Sequence, residues 1–270
     1  MIAPQQYYDY PPPPPPRDTR PRLDQLIVLM RQHDPRPWGW RPVVLPSAAL
    51  IVVIVFGSLV THFVHPHSFA AALTVVIVLT TVLYAVLIVA IWVAGRDLAR
   101  RYSGWGWTFG LQRPKWMDLA WLAAGVGISF GARIAVGVIA NAASHGKALQ
   151  QSQNLVVKSS SVAVYVVLGV VVVLIAPVVE ETMFRGLMLR TFMRSWGFWP
   201  AALLSSAIFA LFHTYEVSTL AGAATLASIV FTLGLTNCLL VRWSGRLDAG
   251  IMNHMLFNGL AILVLILVNT

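Results

Sequence analysis

Residues 162–186 read VAVYVVLGVVVVLIAPVVEETMFRG. An apolar run from Val162 to Val179 ends on two adjacent carboxylates, Glu180 and Glu181. The chain has only 10 acidic residues in 270, so two of them side by side at the end of such a run is unusual. Ionisable groups in hydrocarbon are costly and are kept where they face a partner or a functional cavity. On a helix Glu181 and Arg185 stand at i,i+4 and share a face, which predicts an ion pair. Glu180 is turned about 100° away around the same helix, free for other work.

Composition agrees with a membrane setting. The chain is 57% hydrophobic and 11% charged, with a mean hydropathy of +0.72. Soluble domains carry about 25% charged residues. The net charge is +9, but the basic residues sit between apolar segments, as in cytoplasmic loops, so nucleic acid is not an expected partner. The single cysteine, Cys238, excludes an intrachain disulfide and a cysteine metal cluster. The N-terminus is polar and proline-rich and does not read as a signal peptide.

Outward from the central stretch, six further segments approach the roughly 20 apolar residues needed to cross a bilayer. They are 46–64, 68–94, 117–141, 199–212 (shorter), 220–241 and 247–268, with 162–179 as the fourth in order. Arginines cluster in the N-terminal segment, in the second loop (Arg96, Arg100, Arg101, Arg113 with Lys115), after the fourth span (Arg185, Arg190, Arg194) and after the sixth (Arg242, Arg246). The alternate loops hold only Lys147 and Lys158. This asymmetry predicts a cytoplasmic N-terminus, an outer C-terminus and loop 142–161 on the outer face. The expected fold class is all-α: a polytopic transmembrane helical bundle of about seven spans with a disordered proline-rich N-terminal tail.

The tail carries Pro11 to Pro16 and favours an extended polyproline conformation. After it, Leu23, Leu26, Ile27 and Met30 form an amphipathic stripe. That helix is expected on the inner membrane surface, held by Arg22, Arg31 and Arg36. Trp38 and Trp40 mark the approach to the first span. His62, His65 and His67 look like metal ligands but lack an acidic partner, so they are read as a loop. Arg133 lies well inside the third span and is expected to snorkel to the outer interface, the other reading being a buried carboxylate partner.

Three elements hold polar groups where apolar ones are expected: Glu180-Glu181-x-x-x-Arg185, Phe209-x-x-x-His213 and His254-x-x-x-Asn258. In the last two the named residues share one helix face. A lone membrane histidine is more often structural than catalytic. The three motifs together, in a chain so poor in charge, point to a site.

These motifs, with Ser205-Ser206 before Phe209 and Gly250-Ile-Met-Asn-His254, resemble the CPBP family of intramembrane proteases. That family includes type II CAAX prenyl endopeptidases and the bacteriocin-processing and immunity (Abi) proteins. The resemblance covers about 162–270 and implies a CPBP-like catalytic helical core there. The N-terminal transmembrane helices and outer loop then occupy 46–161, and a cytoplasmic tail with one short helix occupies 1–45. It implies a multi-pass cell-membrane endopeptidase acting on a membrane-embedded peptide or protein, with the lipid bilayer as its other partner.

In that reading Glu180 is the general base and His213 positions the water. His254 and Asn258 donate to the oxyanion, Arg185 holds Glu181, and Phe209 shapes the cavity. No cofactor is expected. The alternative is zinc on Glu180, His213 and His254, a three-ligand set with an open position. The rival functions are a non-catalytic regulator or bacteriocin-immunity protein of the same fold and a proton-coupled transporter. The last lacks paired, interrupted hydrophobic halves.

Simple counting leaves a conflict. Glu180 falls near the inner end of its span, His254 about 12 Å in and His213 about 21 Å in. Either the fifth span starts deeper, or the helices tilt, or 182–198 is itself partly embedded.

Overall fold

The computed structural model describes residues 22–36, 38–65, 67, 69–102, 104–111, 116, 118–144, 169–217 and 219–269. The expected tail 1–21, the loop residues 145–161 and the start of the fourth expected span (162–168) lie outside the described residues. Every described element is helical. In order these are α1 (Leu23–His33), α2 (Arg41–Phe63), α3 (Phe69–Arg101), α4 (Trp105–Phe109) and α5 (Asp118–Ala143). A continuous helical rod follows: a π-helical turn Val170–Ile175, α6 (Ala176–Glu181), a π-helical stretch Thr182–Met188 and α7 (Leu189–Trp196). Then come α8 (Phe198–Leu211), a 3-10 turn Thr214–Glu216, α9 (Leu220–Ser244) and α10 (Asp248–Asn269).

Among the described residues four helices are long and apolar enough to cross a membrane: Arg41–Val60, Ile77–Arg101, Asp118–Ala143 and Leu220–Ser244. The protein is therefore a multi-pass membrane protein. In the first three only 17%, 17% and 11% of the spanning window is covered by protein, against 44% for Leu220–Ser244. Helices α2, α3 and α5 thus turn residues such as Val52, Phe56, Val89 and Ile139 outward to lipid. Helix α9 is the axis of the bundle and packs against α5, α8 and α10. It begins at an N-cap, where Gly222 N–H donates to Thr219 Oγ1 at 3.3 Å. It ends at Gly245, whose φ of 68° is the left-handed conformation of a helix stop.

Two expectations change. Helix α1 forms where the stripe predicts it, but the stripe does not face lipid. Leu23, Leu26, Ile27 and Met30 are all buried, and α1 packs on α7 and α9. Arg31 Nη2 donates to the Met193 carbonyl at 2.6 Å, and Arg242 lies 3.6 Å from Asp24. An amphipathic helix covers the nearest apolar surface of matching shape, and here that surface belongs to the same chain.

The arginines after the fourth span are also not all loop cations. Residues 182–193 are buried and helical. Arg190 is fully buried and donates to the carbonyls of Thr108 (3.3 Å) and Gly245 (3.1 Å). Arg246 pairs with Asp118 and Asp248. These contacts tie the α9–α10 turn to α7, to α4 and to the start of α5. Residues 182–193 run through the protein interior, the rod ends at the exposed Trp196, and Gly197, at φ 79°, turns the chain straight into α8.

Of the remaining sequence expectations, His62, His65 and His67 are exposed, and His62 stands edge-on to Phe63. The Arg133 guanidinium lies 5.2 Å from the centre of the Phe257 ring, a cation–π contact on α10.

Candidate active site

The rod, α3, α8, α9 and α10 meet around the Glu180-Glu181 pair. A π-helical stretch begins immediately after Glu181. Such stretches recur at functional positions. Here the Phe184 carbonyl accepts from Ser205 Oγ of α8 at 3.0 Å. The serine noted in the sequence motif thus clamps the short apolar helix to the rod.

Glu181 is fully buried and organises the interior. Its Oε1 accepts from Asn237 Nδ2 at 2.9 Å and from His254 Nδ1 at 3.0 Å. Arg185 Nη1 stands 3.2 Å from the same oxygen, the expected i,i+4 pair, with both side chains wholly excluded from solvent. The guanidinium also lies 4.4 Å from the centre of the Phe209 ring. Phe209 in turn packs edge-on to His213 and His254, with ring centres at 4.6 and 5.7 Å. Phe209 is therefore the apolar wall between the two imidazoles.

Glu180 looks the other way, as the helical angle requires. Its Oε1 accepts from the Tyr84 hydroxyl at 3.2 Å. Its Oε2 stands 3.9 Å from Nε2 of His213 and 3.9 Å from Nε2 of His254. The side chain keeps 18% of its surface open. Both histidines use Nδ1 elsewhere, His213 on the Phe209 carbonyl at 2.8 Å and His254 on Glu181. A carbonyl or a carboxylate at Nδ1 requires the hydrogen there, so each neutral ring offers its Nε2 lone pair toward Glu180. The pair is too far apart for direct hydrogen bonds and has the separation that one water bridges.

Of the residues named from sequence, Glu180, Glu181, Arg185, His213 and His254 thus form one cluster. Asn258 is placed differently: its Nδ2 donates to the Val172 carbonyl of the first π turn at 2.8 Å, and the amide carries a second N–H. Two contributors were not anticipated. Tyr84 comes from α3, and Asn237 from the middle of α9. Asn237 Oδ1 accepts from Asn253 Nδ2 at 2.7 Å, and Asn253 also reaches Ser129 Oγ at 3.1 Å. A polar relay therefore runs from α5 through α10 and α9 to Glu181. The available signal was an asparagine in an otherwise apolar span.

A zinc ion would need its donors in closer company. The donor types suit it, but neighbouring ligands on a tetrahedral ion with bonds of about 2.0–2.1 Å lie about 3.4 Å apart. Each Glu180–histidine separation is 3.9 Å. Among the described residues no three His, Cys, Asp or Glu side chains are grouped to hold a metal.

Gly234 of α9 makes room for the arginine. A Cβ there would stand 2.7 Å from Arg185 Nη2 and 3.2 Å from Ser206 Cβ. Alanine normally gains about 1 kcal/mol over glycine inside a helix. Overpacking typically costs about 1–3 kcal/mol and should win here. Gly234→Ala is expected to lower the thermal midpoint of the detergent-solubilised protein. A raised midpoint would show that Arg185 gives way freely.

Fold and site together define a helical membrane protein with a carboxylate, two imidazoles and a buried ion pair at its centre. Residues 162–260 match the family model of type II CAAX prenyl endopeptidase Rce1-like proteins. The C-terminal region of this membrane protein is thus similar to the CPBP/CAAX proteases. No curated protein and no solved structure matches the chain.

Proposed function

We propose that the protein is an intramembrane endopeptidase that cleaves a membrane-associated peptide or protein with a water activated by Glu180. The observation that carries this reading is the position of Glu180 Oε2, 3.9 Å from both histidine Nε2 atoms. A water in that gap donates to Glu180 and to the Nε2 lone pair of His213. Glu180 takes its proton as the oxygen attacks the scissile carbonyl. The proton passes through the same gap to His254 Nε2, which then becomes a donor to the oxyanion or the leaving amine. Glu181, at Nδ1, supplies the counter-charge. The second N–H of Asn258 is the other oxyanion donor. Tyr84 holds the unused oxygen of Glu180 and so aims Oε2. The reaction needs no metal or other cofactor, the N-terminus is cytoplasmic, and the protein sits in the cell membrane.

The test has two arms. Membrane and released peptides from cells with the wild-type protein are compared with those from cells carrying His213→Ala or His254→Ala. Peptides released only by the wild type are expected, and identical peptide sets in all three would end the proposal. In the second arm the purified protein is treated with a chelator and then given zinc. Activity is expected to survive chelation, and loss followed by recovery on zinc would transfer the chemistry to a metal.

A further inference from the structure

A second built site lies away from the carboxylates, where α2 begins its crossing. A cavity of about 390 Å³ opens between the segment joining α1 to α2 and the end of α7. Its walls are the indoles of Trp38, Trp40 and Trp196, the Phe192 ring and the guanidinium groups of Arg31 and Arg194. The aromatic wall is ordered by its own packing. Trp40 lies 5.8 Å from Trp196 and 6.1 Å from Phe192 between ring centres, and Phe192 stacks on Trp196 at 5.5 Å. Trp38 Nε1 donates to the Tyr102 hydroxyl at 3.3 Å.

Among the described residues no acidic side chain lines the cavity. The Asp34 carboxylate is held by Arg36 through bonds of 2.8 and 3.0 Å and lies 3.8 Å from Arg101. Arg194 spends Nη2 on the carbonyls of Asp34 and Arg36, at 2.8 and 2.7 Å. Its Nη1 is buried and finds no acceptor among the described residues. Burial lowers the pKa of the Arg194 guanidinium; Tyr102 and Asp34 oppose that fall and Arg31 adds to it. Near the end of α3 the single carboxylate of Asp97 is shared by Arg41, Arg96 and Arg100. Two like charges on one wall, with no acidic side chain among the described lining residues, favour an anion.

Position selects the kind of anion. Trp40 immediately precedes the span that begins at Arg41, and Trp40 and Trp196 are exposed. Exposed indoles at the start of a span sit at headgroup level, and basic pockets between membrane helices take phosphorylated lipid headgroups. We propose that this cavity binds the phosphate of an anionic phospholipid. Arg31 and Arg194 face the phosphate, and the tryptophans face the glycerol and upper acyl carbons. A bound lipid at this position holds α1, the approach to α2 and α7 together at the membrane surface. The proposal is independent of the hydrolytic reading.

The test uses the full-length protein reconstituted in vesicles of phosphatidylcholine alone or with phosphatidylglycerol. Mild detergent extraction is followed by mass measurement of the retained lipid. Phosphatidylglycerol is expected to be retained in preference to phosphatidylcholine. Arg31→Gln should weaken that preference about fivefold, the worth of one cation at a membrane surface. Ser195→Glu sets a carboxylate at an exposed position on the cavity wall. It should weaken the preference at least as much, with an unchanged thermal midpoint. Equal retention of the two lipids, or unchanged retention in both variants, overturns the proposal. Displacement of phosphatidylglycerol by millimolar inorganic phosphate assigns the cavity to a free anion and overturns it as well.

Discussion

Glu180→Gln should abolish turnover, by about 10²–10⁴-fold, while leaving the protein folded and in the membrane. That range is what a positioned general base typically contributes. Glutamine keeps the volume and the Oε1 acceptor for Tyr84, at 3.2 Å in the parent. It removes the one property the water needs, a carboxylate that can take a proton. The side chain is partly open and makes no buried ion pair with arginine, so its neutralisation leaves no charge stranded. The measurement is kcat on a cleaved peptide together with a thermal unfolding midpoint. Wild-type turnover in a folded Glu180→Gln protein would remove Glu180 from the chemistry. Rescue of a deletion phenotype by Glu180→Ala would instead favour the non-catalytic regulator.

Glu181→Gln, one residue away, should have the opposite signature. It is expected to destabilise the protein by about 3–5 kcal/mol, because it leaves the Arg185 guanidinium buried without a counter-charge. Arg185 is wholly excluded from solvent, and its nitrogens make no hydrogen bond among the described residues beyond the ion pair. The Phe209 ring face at 4.4 Å is its other support. Such a contact is worth about 2 kcal/mol when desolvated, too little to hold the charge alone. Replacing both members with apolar residues, Glu181→Leu with Arg185→Met, should recover most of the loss, since a buried pair seldom outweighs a packed apolar equivalent. The double variant should remain inactive, because His254 Nδ1 loses its acceptor. The check is a double-mutant cycle on unfolding in detergent. Equal midpoints for wild type and Glu181→Gln would mean that the pair is not buried as described.

The division between the two glutamates was legible in the chain, because it rests on local geometry. An i,i+4 spacing puts Glu181 over Arg185, and a turn of about 100° sends Glu180 elsewhere. The three motifs were legible as polar groups in apolar helices. The stripe of α1 was legible too, but what it covers was not. Periodicity says which face of a helix is apolar and says nothing of whether lipid or protein meets it. Arg190 misled for a related reason. Charge asymmetry assumes that arginines between apolar runs are solvated, and Arg190 is buried against two backbone carbonyls.

Sequence alone determined the membrane setting, the helical class, the Glu181–Arg185 pair and the set of residues worth testing. Each follows from composition or from contacts within one helix, whose spacing is set by the backbone. Tertiary structure decided the rest. It brought His213 and His254 to equal distances from Glu180, supplied Tyr84 from α3 and Asn237 from α9, and turned Asn258 toward Val172. Those relations join residues up to 96 positions apart. They depend on how the helices cross, on the room that Gly234 leaves and on the turn at Gly197. These are properties of packing between helices, and no repeat along the chain encodes them.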